Sequence, residues 1–256
     1  MALAKLLRQW SGNPKPPPAR PITLPGLPVK VDVRRSARAS RLSLKVDAAR
    51  DLVQVVVPFG VPEAEVARFV ARHRDWLESR VQALPPRLSF EEGALVPILG
   101  VEHVLRHDRA HRGAPKSVPM VGGPPELRVG GEPEFLGRRV LDHLKREARR
   151  RLVDLSTEKA ARLGARVKGV TVRDTRSRWG SCSADGRLSY CWRLILAPEA
   201  VLDYVVAHEV AHLREMNHSS RFWALCASLT ADVDAPRAWL KANGAKLHRY
   251  GDVAGE

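Results

Sequence analysis

Between residues 29 and 57 apolar and polar positions alternate in three runs, over 29–33, 41–46 and 52–57. A period of two predicts strands with one buried face, and three such runs in succession predict an antiparallel meander. Pro58 and Gly60 end the third run. From 62 to 84 the period changes. Val66, Phe69, Val70, His73, Trp76, Leu77 and Val81 recur near every 3.6 residues, which predicts one helix closed by Pro85 and Pro86. The apolar pieces 95–99 and 101–105 predict a hairpin about Gly100. The stretch 107–131, rich in Gly, Pro and basic residues, reads as a loop containing one strand.

A long amphipathic helix is predicted over 133–163, with Leu136, Val140, Leu144, Ala148, Leu152 and Leu155 on its apolar face. Gly164 is its expected stop. A strand follows at 167–172, then a hairpin from 175–183 and 187–194 about Asp185 and Gly186. Pro198 opens a helix, and Ser219 or Ser220 caps another that runs to Leu229. Prolines 14, 16, 17, 18, 21, 25 and 28 exclude a regular element at the start. The expected organisation is a disordered tail over 1–28, a β-rich lobe with one helix over 29–131, a catalytic domain over 132–245 and a flexible tail over 246–256.

The helix opened by Pro198 carries the chemistry. His208 and His212 are four apart, so both rings share one helix face and reach one ion. Imidazole nitrogens in that arrangement suit Zn2+. Glu209 lies beside the first ligand, where it can take a proton from water at the metal. Its neighbours Val205, Val206, Ala207, Val210, Ala211 and Leu213 are apolar, and a charge buried among them needs a partner, which a metal supplies. A catalytic site also needs a third ligand. His218 stands six residues past His212, provided the helix ends near Glu215 or Met216 and Asn217 turns the chain back in the left-handed conformation. The extended zinc-protease signature has its third His at this offset, with Gly where this chain has Glu215. Asp232 and Asp234 are the rival ligands.

Lys and Arg number 43 and Asp and Glu 28, a net charge of +15. Such an excess suits polyanions, nucleic acid or nucleotide among them. On the long helix Arg138, Arg139, Lys145, Arg146, Arg149, Arg150 and Arg151 form the polar face, read first as solvated surface and alternatively as a polyanion site. Cys182, Cys191 and Cys226 include no Cys-x-x-Cys pair; they predict a reducing, cytoplasmic setting. No stretch predicts a membrane span, and the start does not read as a signal peptide. Nothing in the pattern speaks to oligomeric state.

The segments 177–182, 192–198, 203–212 and 217–223 (SRWGSC, WRLILAP, DYVVAHEVAH and NHSSRFW) closely resemble the YgjP-like metallopeptidase family, which is related to SprT-like proteases. The resemblance runs from about Val29 to Leu229 and is most specific from Ser177 to Trp223. It implies a zincin-like α+β fold, zinc ligands at His208, His212 and His218, and Glu209 as catalytic acid/base. It also implies a peptide or protein substrate, lying along the strand just before the site helix at the sheet edge. Arg176 and Arg178 are then candidates for holding an oxyanion or a substrate anion, or else solvated strand residues. Asp203 and Asn217 are candidates for orienting a ligand imidazole, and Asp203 equally for a cap or a salt bridge elsewhere. Trp179, Trp192, Phe222 and Trp223 read as core or pocket wall, and Cys182 as a packing residue. The expected function is a zinc metallopeptidase using activated water. The alternatives are a metal-dependent nucleotide or pyrophosphate hydrolase, and a nucleic-acid-associated SprT-like protease.

Overall fold

The computed structural model describes residues 20–22, 30–47 and 52–251. The expected tail over 1–19 and 23–28, and residues 252–256, lie outside the described residues. The chain forms two compact units, residues 1–84 and 85–256, with a mixed α+β fold.

In the first unit β1 (Arg20–Ile22), β2 (Lys30–Arg35), β3 (Ser43–Asp47) and β4 (Leu52–Val57) form a sheet in the order β1-β2-β4-β3. The expected meander is corrected, because a meander would leave β4 at an edge. β4 carries Val53, Val55 and Val57, all fully buried, and takes an interior position. β2 pairs with it in parallel and β3 antiparallel. Residues 20–22, expected in the tail, add a strand antiparallel to β2. Pro21 is tolerated there because an edge strand needs its N–H groups on one side only. The single helix expected over 62–84 is two, α1 (Glu63–Arg72) and α2 (Arg74–Gln82). His73 breaks them at φ −106° and ψ 17°, with its ring Nδ1 2.8 Å from the Phe69 carbonyl. Such a local bond competes with the helical ladder. Leu77 is buried with Val66 and Val70, while Trp76 is 43% exposed.

The second unit holds two sheets among its described residues. β5 (Leu95–Ile98), β6 (Val101–His107), β7 (Lys116–Val118) and β8 (Glu126–Val129) run in the order β5-β6-β8-β7; β9 (Gly169–Arg173), β10 (Gly180–Cys182) and β11 (Arg187–Cys191) run β10-β11-β9. Four helices complete it: α3 (Leu136–Arg162), α4 (Glu199–Ala211), α5 (Ser220–Leu229) and α6 (Asp234–Leu247). The division expected at 131/132 falls at 84/85. The reason is burial: Val96, Leu105, Leu127 and Val129 of the first of these sheets share one core with α3 and α4.

Three details of this unit position the site. The β5–β6 hairpin turns at Leu99 and Gly100, both with positive φ, 50° and 83°. The Leu99 N–H donates to the Ile195 carbonyl at 2.7 Å, and a Cβ at Gly100 would come within 3.1 Å of Pro198 Cα. The hairpin tip thus supports the turn that launches α4. On α3 the burial runs in four-residue steps through Leu136, Val140, Leu144, Ala148 and Leu152 to Ser156. Ser156 replaces the expected Leu155 on that line because its hydroxyl meets the fully buried Tyr190 hydroxyl at 3.0 Å. The flexible tail expected from 246 is corrected as far as 251. Leu247 and Tyr250 are buried, and the Arg193 guanidinium donates to both their carbonyls.

Candidate metal centre

α4 is buried along most of its length, at Val201, Leu202, Tyr204 to Ala207, and Glu209 to Ala211. In so apolar a helix the polar residues are placed at a cost, and what each one meets shows why. α4 ends at Ala211, with His212 as its C-cap, earlier than the expected 215–216. The early exit lets the His212 Nδ1–H donate to the Glu215 carbonyl at 3.0 Å. That bond fixes the tautomer and leaves Nε2 as a free lone pair. Arg214 meanwhile anchors the exit by donating to the Leu163 carbonyl at the end of α3, at 2.8 Å. Asn217 is not left-handed: among the described residues Leu99 is the one non-glycine with positive φ. The chain returns instead through the Ser219 N–H bonded to the Asn217 carbonyl at 2.8 Å. The Ser219 hydroxyl then caps α5 at the Phe222 N–H, 3.3 Å away.

This path brings His218 back over α4. His208, His212 and His218 each offer a ring nitrogen, and these lie within 4.8 Å of one another. The Nε2 atoms of His208 and His218 are 3.1 Å apart. Tetrahedral zinc with ligands at about 2.0–2.1 Å separates neighbouring nitrogens by about 3.3 Å, close to the spacing of the His208 and His218 pair, and three imidazoles are a donor set that could hold a metal ion. Asp232 and Asp234 do not join the cluster; Asp232 accepts the Asp234 N–H at 2.9 Å. Phe222 walls the three rings, with centroids 4.9, 4.5 and 4.6 Å from His208, His212 and His218. Burial first, and then the neighbouring imidazoles and Arg237, push His208 down to about 4. The neutral, metal-binding form of the ring is therefore the one the fold favours.

Glu209 is 6% exposed. Burial raises its carboxyl to about 7, against a smaller lowering by Arg178. The close neighbour is Gly180: a Cβ there would stand 2.6 Å from both Glu209 Cγ and Oε1. Only a residue without a side chain lets the strand approach this near. β10, which carries Gly180, is the outer strand of its sheet, and β11 is central. The strand just before α4 is therefore not the edge strand, as expected; the edge belongs to its hairpin partner. β11 is central because it also pairs in parallel with β9 on its other side.

The remaining candidates separate. Arg178 is exposed and its charge acts on Glu209. Arg176 is also exposed, but its charge acts on Asp174, a carboxylate that Arg193 holds at 2.9 Å. Asp203 points to the Lys159 ammonium at 2.6 Å. The Cys182 thiol is raised to about 11, by burial first and then by the charge of Glu209; it is a neutral packing group. Two residues escaped the sequence reading. Gly180 had a signal, a lone glycine in a strand, which marks close backbone approach. Arg237 had none. It lies with its guanidinium 5.6 Å from the Trp223 ring, and its charge is felt at His208 and Tyr204.

A family model described as YgjP-like, metallopeptidase domain, matches residues 40–243. No curated protein sequence matches significantly. Among solved structures, the metallopeptidase zymogen abylysin of Pyrococcus abyssi is 22% identical over 36% of this chain and 92% of that one. The TM-score is 0.32, a likeness too slight to bear on the fold.

Proposed function

This chain belongs to the YgjP-like metallopeptidase family, and we propose that it is a zinc-dependent peptidase in which His208, His212 and His218 hold the metal and Glu209 moves the proton. The observation that carries this reading is the convergence of three imidazole nitrogens within 4.8 Å beside a buried carboxyl. Bound there, zinc supplies a Lewis acid for the scissile carbonyl and raises the acidity of water. Glu209 accepts the proton of the attacking water at its carboxylate and passes it to the leaving amine nitrogen. Its burial and a carboxyl raised to about 7 suit a group that takes and gives one proton near neutral pH. Gly180 keeps that carboxyl reachable, since any side chain there would displace it.

β10 offers the substrate its free edge. An extended peptide pairs with such an edge through its backbone, and on β10 the pairing runs alongside Glu209. Arg178 is the better candidate to hold a developing oxyanion or a substrate carboxylate, because its charge already reaches Glu209. Arg237 plays the matching part on the His208 side, held against Trp223. Asp203 is assigned to the fold, through Lys159, and not to ligand orientation. The Glu215 carbonyl orients His212 instead.

The test is a paired assay of wild type and Glu209→Gln on a proteome-derived peptide library, with zinc content measured on both. Wild type cleaves and carries about one zinc per chain. Glu209→Gln keeps the zinc and loses at least ~10²-fold in turnover. Full turnover in the variant, or loss of its metal, would overturn the role given to Glu209.

A further inference from the structure

The cations of α3 divide into two groups. Those on one side are held by ion pairs or by backbone carbonyls. Arg150 pairs with Glu147 at 2.8 Å and Asp154 at 3.8 Å. Arg151 pairs with Glu199, Lys159 with Asp203, and Arg162 donates to the Ser228 carbonyl. Lys145, Arg146 and Arg149 have no ion pair or hydrogen bond among the described residues. These three share one cavity of about 440 Å³ with Arg173, at the end of β9, and with the buried Trp192. A second cavity of about 300 Å³ shares Asp142 and Arg146 with it and extends to Arg139. Of the two carboxylates lining the first cavity, Asp174 is occupied by Arg193, which leaves Asp142 against four cations.

A merely solvated face would look like the 147–154 side, its cation interleaved with acids that pair with it. Here unpaired cations converge on a concavity, where they repel one another and the low-dielectric wall concentrates their potential. That arrangement is stable when an anion fills it. From Arg139 to Arg149 the helix spans about 15 Å, at about 1.5 Å per residue. This exceeds one phosphate group and covers several successive phosphates of one strand, each advancing about 3.4 Å along a duplex axis. Trp192 is only 1% exposed, so the groove offers no open ring on which a base could stack. Its contacts are with backbone charge and carry no sequence information.

We propose that this groove, between α3 and the end of β9, binds the phosphate backbone of a nucleic acid without sequence preference. It lies at the β9 edge of the sheet whose β10 edge carries Gly180 beside Glu209. The two edges are two strand spacings apart, about 10 Å. If the peptidase reading also holds, a protein on the bound strand is presented to the site; the binding proposal does not depend on that reading.

The experiment measures binding of labelled single- and double-stranded oligonucleotides to the zinc-loaded full chain between 50 and 200 mM salt. The groove variant is Arg146→Gln, Arg149→Gln and Arg173→Gln together. The charge-matched control changes Arg74, Arg150 and Arg187 to Gln, three exposed and ion-paired arginines. Thermal melts establish that both are folded. Wild type binds with a steep salt dependence. The groove variant loses about tenfold or more in affinity, and its slope on single strands falls by about 2, at about 0.7 per lost phosphate contact. The control loses less than about threefold. Equal losses in the two variants would overturn the site. So would a wild type without salt-dependent binding. Competition by polyglutamate or inorganic triphosphate as strong as by the oligonucleotide would overturn the ligand class.

Discussion

α3 and α4 pack on one another in a single core, yet their polar residues carry opposite kinds of information. α4 is so apolar that each polar residue on it must be accounted for. His208 joins the candidate centre, Glu209 stands against Gly180, and Asp203 meets Lys159 of α3. α3 has a whole polar face, and a cation there says nothing until its partners are known. Arg150 and Arg149 are neighbours in sequence, but the first is ion-paired and the second faces a cavity. The lesson is that burial makes a residue type informative, whereas on a wet face only tertiary placement does.

The comparison breaks most sharply if the polar residues of α4 and its return loop can be removed without consequence. His218→Ala takes away one of three nitrogens. Loss of an outer partner alone costs 10–100-fold in metal affinity, so loss of this ligand weakens zinc binding by more than ~10²-fold, read by competition with a chromogenic chelator. Unchanged affinity would return the third position to another residue.

Gly180→Ala tests the approach of β10 to Glu209. The new Cβ would meet Glu209 at 2.6 Å, and the carboxyl must turn aside. The expected result is a fall of roughly 10²-fold in kcat, the scale of losing the general base, with zinc retained. A variant that is fully active would show that the position of Glu209 is not set by this strand.

Asp203→Asn separates the structural polar residue of α4 from the chemical ones. It leaves the Lys159 ammonium, whose side chain is 4% exposed, without its carboxylate. The ammonium keeps its bond to the Leu229 carbonyl at 2.5 Å, so loss of the charge-assisted bond to Asp203 costs about 2 kcal/mol in unfolding free energy, measured by urea denaturation. Zinc affinity stays within about twofold. Weakened zinc binding at unchanged stability would instead give Asp203 the imidazole-orienting part.

The smallest effect concerns Glu209 in the zinc-free protein. Its carboxyl is raised from 4.5 to about 7, so between those values the folded state holds a proton that the unfolded state has released. Stability then falls as pH rises through this window and levels off above pH 7. Glu209→Gln lacks that proton. The difference in melting temperature, wild type minus variant, should therefore decline from pH 4.5 to 7 and be flat above. A flat difference throughout would show that the carboxyl is not desolvated.

Much of the fold was legible because it is local. The 27 residues of α3, the Ser219 cap, the β5–β6 and β10–β11 hairpins and the apolar character of α4 all follow from periods, caps and turn residues acting within a few positions. The misreadings share one cause. The strand order of the first sheet, the 84/85 boundary, the strand of residues 20–22 and the packed 246–251 segment depend on pairings between distant residues. The break at His73, the end of α4 at Ala211 and the backbone of Asn217 are the exceptions, local features that the apolar period concealed.

By itself the sequence determined that His208 and His212 share a helix face, with Glu209 next in the chain to the first, because a four-residue step on a helix brings two residues to one face. It also determined the offset of His218, but not its arrival. Only the tertiary structure decided that His218 comes to 3.1 Å from His208, that Gly180 of a strand outside the helix stands against Glu209, and that Lys145, Arg146 and Arg149 converge with Arg173 while Arg150 does not. Helical spacing is set by neighbouring backbone bonds, whereas convergence of remote side chains is set by the packing of elements on a shared core, which no short window of sequence contains.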